Sequence, residues 1–123
     1  MPVAAYKTAW VGTAPPERCV PEFGGRTFHS SGTTGLRFSR NGLDASALRL
    51  YELSLLAGWD LFPGGDGNPR TLLALMPPPD CAPNSSLSHM AGVLIERHGG
   101  AFLSPEVDSD WIALACDAMA EAS

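Results

Sequence analysis

Basic side chains are scarce. The 123 residues carry 8 lysines and arginines against 13 acidic groups, for a net charge of −5. A protein that grips nucleic acid through its phosphates needs clustered Lys and Arg, and this balance offers no such footprint. Cysteine is scarce too: Cys19, Cys81 and Cys116 lie far apart, are odd in number and form no C-x-x-C pair. A structural zinc site takes four ligands, usually as two close pairs. His29, His89 and His98 supply no such pair beside any cysteine, so no metal site is expected and the thiols read as reduced in a cytoplasmic protein. No stretch reaches the roughly 18 to 20 consecutive apolar residues that cross a bilayer. Met1 to Trp10 has one lysine and no apolar h-region, so no secretory signal is expected.

What is present describes a globular α/β chain. The hydrophobic content of 45% is too high for intrinsic disorder, and the length suits one domain that can bury a core without staples. Residues 1–25 form an irregular leading segment, broken by Pro15-Pro16, Pro21 and Gly24-Gly25. The domain proper is expected over residues 26–123. Arg26 to His29 reads as the end of a strand. A helix is signalled from Asp44 to Ala57: Asp44 caps it, Leu43 and Leu48 form a hydrophobic staple, and Gly58 stands where a left-handed C-cap belongs. Its inward face is Leu48, Tyr51 and Leu55, broadened by Leu50, Leu53 and Leu56.

After a Gly/Pro/Asp-rich loop, Phe62 to Pro69, the apolar run Thr71 to Met76 stops at Pro77-Pro78-Pro79. A short run without alternation suits a strand buried on both faces of a parallel sheet. A second helix is expected from Asn84 to Arg97, capped by Asn84 or Ser85, with Leu87, Met90, Ala91, Leu94 and His98 at helical spacing and Gly99-Gly100 as its stop. Ala101 to Leu103 is a second strand. A third helix begins near Ser104-Pro105 or Asp108, with Trp111, Ala115, Ala118 and Met119 inward. This order defines a partial, mostly parallel sheet with flanking helices. Two clear strands fall short of the about four to six of a typical sheet.

The stretch richest in chemistry is Ser30-Ser31-Gly32-Thr33-Thr34-Gly35. Its glycines let backbone approach a ligand closely, and its hydroxyls and open N–H groups can surround phosphate oxygens without net positive charge. It is not a Walker A loop, because Leu36-Arg37 follows Gly35 where Lys-Ser/Thr would be required. On composition alone the hexapeptide reads as a flexible surface turn.

Phe28-His29-Ser30-Ser31-Gly32-Thr33-Thr34-Gly35 resembles the phosphate-binding loop of adenylate-forming enzymes, which activate carboxylic acids with ATP. Asn84-Ser85-Ser86-Leu87-Ser88-His89-Met90, after a proline-ended apolar strand, looks like the Ser-Ser-Leu segment of their acyl-protein synthetase (LuxE-like) branch. Together the two cover roughly residues 26 to 100. The resemblance implies an N-terminal adenylate-forming domain, with ATP and Mg²⁺ as cofactors and a fatty or similar carboxylate as substrate. The acyl adenylate then passes its acyl group to a thiol, on a protein partner in this branch. It places Ser30, Ser31, Gly32, Thr33, Thr34 and Gly35 around the β- and γ-phosphates, with Arg37, Ser85 and Ser86 as auxiliary positions.

The chain departs from that pattern in specific places. Many such loops close on Pro-Lys; here Leu36-Arg37 stands instead, and Arg37 is either the loop's cation or a surface arginine. No aromatic-Gly-x-Thr-Glu adenine motif, ribose-binding Asp segment or catalytic lysine follows, Lys7 being the only lysine. The catalytic residues are therefore unassigned, and an incomplete portion of such a ligase is expected. The alternatives are a non-catalytic module that binds nucleotide or phosphate, and a structural α/β domain. Ser85 and Ser86 also serve simply as helix caps. Cys116 sits in an apolar helical pattern and reads as a buried thiol. His89 and His98 read as helix-surface or dipole partners, and Asp108 and Asp110 as first-turn acids.

Overall fold

The computed structural model describes residues 10–30, 38–61, 70–104 and 110–122. Among them are strands β1 (Trp10–Gly12), β2 (Arg26–His29), β3 (Arg40–Leu43), β4 (Leu72–Ala74) and β5 (Gly100–Phe102), and helices α1 (Ala45–Leu61), α2 (Ser86–His98) and α3 (Trp111–Ala122). The chain is thus α/β. It divides into two compact units: Met1–Leu55 with Asn84–Ser86, and Leu56–Pro83 with Leu87–Ser123.

The first unit is built on a three-stranded sheet in the order β1-β3-β2. β1 runs parallel to β3, and β2 runs antiparallel to it. Two of these strands were not expected. Arg40-Asn41-Gly42-Leu43 has the Asn-Gly of a turn, and Trp10–Gly12 falls in the leading segment read as irregular. That segment also forms two 3-10 turns, Pro16–Arg18 and Pro21–Phe23, each started by a proline whose missing N–H costs nothing at that position. Cys19 is fully buried and Phe28 nearly so. Gly42 is where the sheet closes tightly: a Cβ there would overlap the Trp10 indole and lie 2.9 Å from Cys19 Sγ.

Helix α1 opens as its sequence signals. Asp44 Oδ1 accepts the N–H of Ala47 at 3.1 Å, satisfying one of the donors that a helix N-terminus leaves open. Thr13 Oγ1 donates to the same carboxylate oxygen at 3.0 Å and accepts the Asp44 N–H at 3.0 Å. The C-terminal expectation is corrected: α1 continues through Gly58 to Leu61. Leu50 and Leu53 are exposed, leaving Leu48 as the buried residue of this helix.

The second unit pairs β4 and β5 in parallel, Leu72 with Gly100 through Ala74 with Phe102. The apolar run of six residues yields only three in the strand, the length that its partner offers. Helix α2 ends as expected: Gly99, at φ 85°, donates its N–H to Ile95 O at 2.7 Å, a left-handed cap that only glycine adopts at no cost. Ala91 and Leu94 of α2 and Ala115 of α3 are buried with Ala74 and Leu103. Leu87 and Met119, expected inward, are exposed at 54% and 56%. The side chain of Trp111 and all of Asp108 lie outside the described residues. The parallel sheet expectation holds for β4–β5, whereas the sheet carrying Arg26–His29 is mixed.

Candidate functional site

The Ser/Thr/Gly stretch belongs to the connection between β2 and β3, and the described residues define the neck of that connection. Ser30 N–H donates to Ser39 O at 3.0 Å, and Ser39 N–H donates to Ser30 Oγ at 2.9 Å. The hydroxyl oxygen of Ser30 therefore pins the two sides of the neck together, while its O–H remains a donor. Asn41 Nδ2 reaches Ser39 Oγ at 3.5 Å. Ser31, Gly32, Thr33, Thr34, Gly35 and Arg37 lie outside the described residues.

β2 is an edge strand, and its outer side is covered locally. His29 N–H donates to Asn84 O at 2.8 Å. This bond links the residue before Ser30 to the residue two before the start of α2, both within the first unit. Of the auxiliary positions, Ser85 is half-buried and Ser86, the first residue of α2, is exposed.

One face of the sheet at this neck was not legible from the sequence. Directly opposed residues in a sheet project their side chains to the same side. Trp10 pairs with Arg40 across β1–β3, and Arg40 with His29 across β3–β2. Trp10, Arg40 and His29 thus form one cross-strand row. Phe38 continues it, its ring stacked on that of His29 with centroids 4.5 Å apart and planes 23° from parallel. Phe38 and Arg40 are exposed, and Arg40 has no ion-pair partner among the described residues. The only local sign of the row in sequence is the spacing of Phe38 and Arg40, and its meaning depends on a strand that the Asn-Gly pair conceals.

The remaining chemistry is dispersed. Cys19, Cys81 and Cys116 are free thiols; Cys116 is exposed, which corrects the expectation of a buried one. Tyr51 lies with its ring centroid 6.2 Å from that of Phe28, and burial, assisted by the neighbouring Glu52 carboxylate, raises its phenol above the ordinary value. His89 is half-buried. His98 has a buried Nε2 without a hydrogen-bond partner, its ring 6.4 Å from that of Trp59. In the second unit, Thr71, Leu73, Gly100, Ala101, Ala118 and Glu121 line an open groove of about 310 Å³. Among the described residues no group of three or more His, Cys, Asp or Glu side chains is placed to hold a metal ion, and no helix is long and apolar enough to cross a membrane. The chain matches no family model, no curated protein and no solved structure.

Proposed function

We propose that this chain carries the nucleotide-phosphate loop of an adenylate-forming, acyl-activating ligase of the acyl-protein synthetase type, in an α/β domain of that class. The observation that carries the reading is the His29–Asn84 backbone bond. It joins His29 and Asn84, 55 positions apart in sequence, which belong to two motifs that each resemble the same kind of enzyme. A chance pair of short matches has no reason to meet.

The donor chemistry of the neck fits a polyphosphate. The Ser30 hydroxyl can donate, Asn41 presents an amide, and Arg40 is exposed with no acidic partner among the described residues. Such groups, held by backbone that is already bonded, stabilise phosphate charge with little reorganisation. The loop residues Ser31, Thr33 and Thr34 would add hydroxyls, and Gly32 and Gly35 close backbone approach. In the reaction proposed, a fatty carboxylate oxygen bonds to the ATP α-phosphorus as pyrophosphate leaves, and a thiolate then takes the acyl group and releases AMP. The described residues supply no cluster of acidic ligands for magnesium; the ion would enter on the nucleotide's own oxygens, and no step is assigned to it.

Calorimetry with Mg·ATP on the full chain tests the binding reading. Wild type is expected to bind, and Thr33→Ala and Gly35→Ala to weaken binding at least about tenfold, the cost of one or two lost phosphate hydrogen bonds. Fatty-acid-dependent exchange of pyrophosphate into ATP tests the ligase reading. Binding without exchange would replace it with a module that holds nucleotide without turnover. No binding at all would leave a structural α/β domain.

A further inference from the structure

We propose that the outer edge of β4 is an interface between two copies of this chain: the strands pair antiparallel, β4 to β4, with Leu73 opposite Leu73. The inference lies wholly in the second unit and is independent of the phosphate-loop reading.

The edge is bare. Leu72 donates its N–H to Gly99 O at 3.0 Å, and Ala74 O accepts the Leu103 N–H at 2.9 Å, so residues 72 and 74 turn their backbone groups toward β5. Successive residues of a strand turn theirs to opposite edges, which aims the N–H and C=O of Leu73 outward. Continued one step each way, the alternation does the same for Thr71 and Leu75. No residue among those described bonds to these groups. Thr71 is exposed, and Leu75 is 54% exposed. Yet Leu72 to Met76 has the composition of an inner strand, apolar toward both faces, and a two-stranded sheet is marginal by itself.

Charge and sequence fit a second copy as the occupant. No charged residue lies between Arg70 and Asp80, so identical edges approach without opposing like charges, and this edge carries none of the charged residues that usually keep strand edges apart. The register is set by proline, which has no N–H to give a ladder. Pro69 and Pro77 stand four residues either side of Leu73. Pairing centred on Leu73 sets Thr71 opposite Leu75 twice and keeps both prolines outside those pairs. Moving the centre by one residue either way brings a proline opposite Thr71 or Leu75. A two-fold axis closes the pairing at two copies, giving a four-stranded sheet in the order β5-β4-β4-β5. The other edge is poorer, because β5 begins on Gly100 and stops before Ser104-Pro105.

Sedimentation equilibrium on the full chain tests this, and wild type is expected to dimerise. Thr71→Lys with Leu75→Lys sets like charges opposite each other twice and is expected to raise the dimer dissociation constant about tenfold or more. Thr71→Lys with Leu75→Glu sets opposite charges there and is expected to recover most of the loss. Both positions are exposed, so the circular dichroism of each variant is expected to match wild type. Leu61→Glu with Ile112→Glu removes exposed apolar residues of α1 and α3 and is expected to leave the dimer in place. Amide hydrogen exchange gives a readout that needs no variant: protection of Leu73, an open amide in the single chain, is expected to appear as wild-type concentration rises. A chain that stays monomeric, a dimer whose Leu73 amide gains no protection, or equal affinity in the two lysine-bearing variants overturns the inference. A dimer lost with Leu61→Glu and Ile112→Glu places the interface on the helices and overturns it too.

Discussion

Gly42 shows how much of this fold is decided by single contacts. Its Cα faces the Trp10 ring so closely that a methyl group cannot be added without moving the indole or the buried Cys19 sulfur. Gly42→Ala is expected to cost about 1–3 kcal/mol, the usual range for overpacking, read as a lower urea midpoint at unchanged slope. Trp10→Phe in the same background, with a smaller ring, is expected to return part of that loss. Tyr51 gives a pH signature. Its phenol is raised above 10.0 by burial first and by Glu52 second, so the fold favours the protonated form. That contribution is present in full below about pH 10.0 and is lost as pH rises from there through the folded-state value. Unfolding free energy measured from pH 8 to 11 is expected to fall above pH 10, and Tyr51→Phe to flatten the fall. Tyr51 was legible as part of the inward face of α1, but Gly42 was not: the need for glycine there comes from a tryptophan 32 positions earlier, on another strand.

At the scale of elements, helices were legible because their signals are local. Asp44 caps α1 and Gly99 ends α2 through bonds that span three or four residues. Gly58 carried the same stop signal, but it has no positive φ, and α1 runs through it. A Cβ at Gly58 meets nothing within 4 Å. Gly58→Ala is therefore expected to stabilise the chain by about 0.5–1 kcal/mol, and Asp44→Ala to destabilise it by about 1 kcal/mol or more. Thermal melts should rank the three proteins in that order, with wild type between. Strands were less legible because pairing is non-local. β3 reads as a turn by composition and becomes a central strand only because β1 and β2 flank it. The candidate site inherits this asymmetry. Ser30 and the Asn84–Ser86 segment were visible as motifs, whereas the row of Trp10, Arg40 and His29 becomes visible only through register.

Across the whole molecule, apolar surface is the feature most in need of explanation. Leu61 is 86% exposed, Leu50 66% and Ile112 63%, and the apolar residues Ile112, Cys116 and Met119 recur on α3 at helical spacing with no burial. Exposed apolar rows of this kind promote association. Sedimentation velocity is expected to show concentration-dependent self-association, and Leu61→Glu with Ile112→Glu to reduce it, at a stability cost within about 0.5 kcal/mol as for most surface changes. The central claim, a phosphate site formed where the β2–β3 neck meets the start of α2, is tested most directly by following backbone amide resonances of the full chain during titration with Mg·ATP. The account predicts shifts confined to the Ser30–Ser39 connection and the Asn84–Ser86 segment, moving together with one dissociation constant. A spectrum that does not change, or shifts confined to the groove lined by Thr71, Gly100 and Glu121, would contradict it.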